Sequence, residues 1–106
     1  MLILRCTQKL AKRLRVEFED APEPDESLLG PWYANVLPDF DDVAIFVNER
    51  TRLAVLARFP GGSGIDELTG RFRRQLGDLL LDLHLTGRVI QRIMDEYAGG
   101  VRIART

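Results

Sequence analysis

Between Trp32 and Phe59 the chain passes through three segments rich in apolar residues, with only short polar connections between them. Trp32–Leu37 is followed by the turn Pro38–Asp42, and Val43–Val47 by Asn48–Thr51. The third segment is Leu53–Phe59, where Leu53, Val55 and Ala57 alternate with Ala54, Leu56 and Arg58. Aromatic and β-branched residues suit a pleated surface. Parallel strands need a long crossover, so connections this short force consecutive strands to pair antiparallel. The spacing predicts a β-meander, and the rest of the chain has to pack around it.

The flanks supply helices and two further strands. Leu2–Cys6 is short and apolar and predicts an N-terminal strand, after which Thr7 is placed to cap a helix over about Gln8–Leu14. Val16 and Phe18 alternate with charged residues and read as the start of another short strand. Acids and prolines fill the stretch from Glu19 to Pro31, and its part Glu19–Glu26 is expected to be exposed and mobile. After Pro60–Gly64, Ser63-x-x-Asp66 resembles a capping box. Ile65, Leu68, Phe72, Leu76, Leu79, Leu80 and Leu83 then recur at helical spacing. A break at His84–Gly87 precedes a second helix with Val89, Ile90, Ile93, Met94 and Tyr97 as its buried stripe, and Val101–Ile103 reads as a last strand. The expected fold is α+β: a small, mostly antiparallel sheet of N-terminal strand, central meander and C-terminal strand, with helices packed on one face. A length of 106 residues suits one domain spanning 1–106.

Residue chemistry excludes more than it suggests. One cysteine, Cys6, and one histidine, His84, are too few for a structural zinc site and leave no intrachain disulfide. Ser27 and Ser63, the only serines, do not stand in a nucleophile elbow. Gly61–Gly64 lacks the Lys-Ser/Thr ending of a P-loop. Cys6 is expected to be a buried, inert thiol, although Arg5 beside it favours the thiolate. No catalytic, cofactor-binding or metal-ligating set is expected. The N-terminus has the wrong order of charge and apolarity for a secretory signal, and no apolar run approaches the ~18 residues of a membrane span. A cytoplasmic protein with no membrane partner is the expectation.

Charge is segregated along a chain whose net charge is only −1. Residues 1–16 carry five bases and no acid, and residues 17–42 carry nine acids and no base. Arg5, Lys9, Lys12 and Arg13 at the N-terminus, with Arg71, Arg73 and Arg74, are the candidate contacts for an anionic partner such as nucleic acid. Trp32 and Tyr33 must face opposite ways if they lie on a strand, with Asn35 sharing the face of Tyr33. Asn48 is read as opening the next turn through its tolerance of the left-handed region. Trp32, Tyr33, Asn35 and Asn48 complete the candidate interaction surface.

Three of these stretches, Arg5-Cys6-Thr7-Gln8-Lys9-Leu10, Trp32-Tyr33-Ala34-Asn35-Val36-Leu37 and Phe46-Val47-Asn48-Glu49-Arg50-Thr51, together resemble an uncharacterised bacterial family of domains of unknown function. Its members look like R-C-T-x-K-L, W-x-A-N-L and L-F-x-N-x-x-T in this order, and some resemble open reading frames of plasmids and other mobile elements. Many continue past a segment like Val101–Thr106, where this chain stops. The resemblance implies no reaction. With the residue chemistry, it favours a non-enzymatic accessory or regulatory module that binds another protein. Nucleic-acid binding through the basic residues is the alternative, followed by a small-ligand site or enzyme around Tyr33 and Asn35. A homodimer is also expected, joined through strand edges or helix faces, unless the last strand inserts between the first strand and the meander.

Overall fold

A computed structural model describes residues 1–19, 27–61 and 63–105. In chain order they form β1 (Leu2–Cys6), α1 (Gln8–Leu14), β2 (Trp32–Leu37), β3 (Phe40–Asn48), β4 (Ala54–Arg58), α2 (Ile65–Asp82), α3 (Gly87–Tyr97) and β5 (Val101–Arg105). The strands make one sheet in the order β4-β3-β2-β1-β5. β2, β3 and β4 are the antiparallel meander, while β1 pairs parallel with both β2 and β5. The short connections enforce the antiparallel part. The parallel part follows from crossovers that contain helices, α1 between β1 and β2 and the α2–α3 block before β5. The fold is α+β, as its sequence implies.

Register sorts the side chains into two faces. Leu2, Leu4, Cys6, Trp32, Ala34, Val36, Ala44, Phe46, Asn48, Val55 and Ala57 share one face, and all are buried. Leu10 and Leu14 of α1, Leu68, Phe72, Leu76 and Leu80 of α2, and Ile93 and Tyr97 of α3 complete the same core. Phe72 is its centre, edge-on to Trp32 with ring centroids 5.0 Å apart and tilted against Phe46 at 4.5 Å. The helices therefore stack on one side of the sheet. Among the described residues, no helix is long and apolar enough to cross a membrane.

Several local expectations are corrected. β3 starts at Phe40, because Asp39 turns with φ 67° and Phe40 already pairs with Leu37 across a register shift. Ser63 does not cap α2; the cap is Gly64, with no side-chain bond, whereas Thr7 and Thr86 do cap α1 and α3. Leu83 lies just beyond α2 and is exposed, and His84 takes φ 61° to end the turn. Val16 and Phe18 form no strand, yet Glu19 donates its N–H to the Ile103 carbonyl at 2.8 Å. β5 is thus an edge strand whose outer side is already engaged there, and it does not insert beside the meander. Residues 20–26 of the acidic stretch lie outside the described residues.

Candidate functional site

Register carries one set of side chains to the face opposite the helices. Arg5 pairs with Tyr33 and Tyr33 with Val47, while Asn35 pairs with Ile45 and Ile45 with Leu56. Tyr33, Ile45 and Val47 are half-buried, Asn35 is exposed, and Leu56 is 51% exposed. Thr7, Tyr33, Ala34, Asn35, Ile45 and Val47 line a shallow hollow of about 200 Å³.

Polar groups border this apolar patch. Tyr33 donates its hydroxyl to Glu49 at 3.4 Å, and Arg5 Nε stands 3.8 Å from the same carboxylate. Both members of the ion pair are more than a third exposed, so screening holds its contribution to about 1 kcal/mol or less. Asn35 Oδ1 accepts from Thr7 Oγ1 and from its neighbour's amide, Val36 N–H, each at 2.7 Å. A backbone N–H can only donate, which fixes the orientation of the amide. The Asn35 NH₂ group has no partner among the described residues, and it faces outward from the sheet with two donors.

Other candidates turn out to hold the fold. Trp32 is buried and donates Nε1–H to Tyr97 Oη at 3.0 Å, and Tyr97 donates in turn to the Gly30 carbonyl at 2.9 Å. Asn48 is fully buried and acts through its side chain, not through left-handed backbone; the residue at φ 65° is Arg52. Asn48 Nδ2 donates to the carbonyls of Leu29 and Pro31, and its Oδ1 accepts from Arg50 N, Thr51 N and Thr51 Oγ1. Gly30 fits between them at φ 77°, where a Cβ would meet the Arg50 guanidinium at 2.9 Å.

The basic residues spread over separate places. Lys9, Lys12 and Arg13 are exposed on α1, with Arg13 stacked 5.3 Å over the Phe59 ring. Arg73 turns inward and donates Nε–H to the Tyr97 carbonyl. Arg71 and Arg74 stand beside β4, where Arg71 donates to the Arg58 carbonyl at 3.0 Å. Thus the structure joins Arg5, Tyr33 and Asn35 on one face, and Arg71 and Arg74 at one edge. Sequence reasoning missed Thr7, Ile45, Glu49 and Leu56 on that face. Period-two alternation outward from Tyr33 and Asn35 is the signal that finds them.

Cys6 belongs to the core side of β1. Desolvation pushes its thiol up to about 12 from an ordinary 9.0, so the thiolate is absent near neutral pH. Native protein is expected to react with a disulfide reagent at pH 8 only as fast as it unfolds, and denatured protein at once. Because the folded value is the raised one, stability from this group is complete below pH 9 and declines as pH rises toward 12. A Cys6→Ala variant should show a shallower decline in urea midpoint over that window. Fast labelling of the native thiol would contradict the assigned burial.

Residues 3–106 match a family whose only description is a domain of unknown function, DUF6933, and the chain belongs to that family. No curated protein and no solved structure matches it.

Proposed function

With membership of that family as the premise, we propose that residues 1–106 are one domain, a non-enzymatic accessory or regulatory module that binds another protein through the helix-free face of its sheet. One observation carries this reading: every helix packs on the same side, yet the other side presents Tyr33, Ile45, Val47 and Leu56 in adjoining register positions. A sheet face meant only for water alternates polar residues outward. Apolar groups rimmed by polar ones mark interaction surfaces, and Arg5, Glu49 and Asn35 form such a rim. The three motifs resemble a bacterial family, some of whose members resemble mobile-element open reading frames, and that supports reading the module as a bacterial cytoplasmic protein that serves such an element.

Nucleic-acid binding is the second reading. It draws on Lys9, Lys12 and Arg13, exposed together on α1. Its signature is affinity for an oligonucleotide that falls steeply with salt as counterions are released.

The experiment is site-specific photo-crosslinking in host cells, from Val47 on the helix-free face and from Gln91 on the exposed side of α3. A protein adduct formed from Val47 and absent from Gln91, and lost again on Leu56→Lys, is the expected result. Equal adducts from both positions, or none from Val47, would remove the reading.

A further inference from the structure

We infer that the outer edge of β4 accepts an extended acidic peptide strand, whose carboxylates seat on Arg58, Arg71 and Arg74. This does not depend on how the helix-free face is used. It rests on two independent features of the edge, its backbone and its charge.

β4 is the last strand on its side of the sheet. The Leu53 carbonyl accepts from Asn48 N–H, and Phe59 N–H donates to the Asp42 carbonyl. Ladder bonds alternate in an antiparallel pair, so Val55 and Ala57 spend their backbone groups on β3 while Ala54 and Leu56 point theirs outward. Among the described residues nothing takes those outward groups. The next outward carbonyl, at Arg58, is occupied by Arg71, which ends the open stretch. The edge strand also lacks the usual blocks, since Ala54–Leu56–Arg58 contains no proline and no bulge appears in its register. At the opposite edge, Glu19 N–H meets the Ile103 carbonyl, so β4 is the edge left free there.

Beside that open stretch, Ala57, Arg58, Pro60, Arg71, Arg74 and Gln75 line a cleft of about 300 Å³. Arg71 and Arg74 are one helical turn apart on α2, and no carboxylate of the described residues pairs with either. Arg58 shares only the exposed Asp42, at 3.2 Å. Guanidinium forks match carboxylates bidentately. A strand added to an edge binds by its main chain and selects through alternate side chains. A nucleic-acid strand would satisfy the arginines but leave the outward amides of Ala54 and Leu56 unused. A second copy of this strand would bring another arginine to the edge and no acid.

The test is fluorescence anisotropy with a labelled short peptide alternating glutamate and valine. Its comparators are the same peptide with lysine for glutamate, the same peptide N-methylated on the backbone, and a single-stranded oligonucleotide. The acidic peptide alone should bind, and it should slow hydrogen exchange at the Leu56 amide. Arg71→Glu with Arg74→Glu should weaken it about tenfold or more. Ala54→Pro, which removes an outward N–H at the first residue of β4 and leaves Leu56 in place, should weaken it as well while circular dichroism stays unchanged. Absence of peptide binding would overturn the inference. So would equal binding of the N-methylated peptide, tighter binding of the oligonucleotide, or light scattering that shows the edge closed by a second copy.

Discussion

Phe72→Ala is expected to destabilise the domain by about 3–5 kcal/mol. The ring is fully buried on α2 and touches both Trp32 of β2 and Phe46 of β3, so it is where the helix layer locks onto the sheet. Truncation leaves a cavity that these two large rings cannot close without moving the strands that carry them. Urea unfolding followed by tryptophan emission measures the loss directly, because Trp32 is the only tryptophan. A change below about 1 kcal/mol would mean that the core is centred elsewhere.

Asn48→Ala should cost nearly as much, about 3 kcal/mol, although it removes few atoms. Its side chain takes part in five hydrogen bonds at the end of β3, bridging Leu29 and Pro31 to the turn at Arg50 and Thr51. Removing it strands buried donors and acceptors, and that desolvation penalty exceeds the net value of the bonds themselves. Asn48→Asp keeps the oxygen that caps the turn and loses the donors to Leu29 and Pro31, so it should fall between wild type and alanine. If alanine and wild type unfold at the same urea concentration, the network carries no stability.

Much of this was legible from the chain. Turn chemistry and apolar spacing located the meander, both long helices and the terminal strands, because those signals are local. The order of β1 and β5 was not legible, since parallel neighbours share no short connection and their pairing depends on how α1 and α3 pack. Asn48 shows the limit at a single residue. An asparagine before a turn is read locally as a backbone-tolerant residue, whereas its actual task links segments 17 and 19 positions away. Tyr33 and Asn35 were singled out because aromatic and amide side chains are conspicuous. Ile45 and Leu56 draw no such notice, because composition cannot say which face of a strand the helices choose. Arg58 escaped for a related reason: an arginine in a strand gains meaning only once that strand is known to be an edge.

On the proposed function, the helix-free face serves a partner and not folding. Ile45→Thr with Leu56→Thr tests it, because threonine is β-branched, as strand positions favour, and removes apolar surface. The deciding measurement is affinity for the protein crosslinked from Val47, read beside the urea midpoint of the same sample. The complex is expected to be lost while the midpoint stays close to wild type. Retained affinity, or a collapse in stability like that of Phe72→Ala, would contradict it.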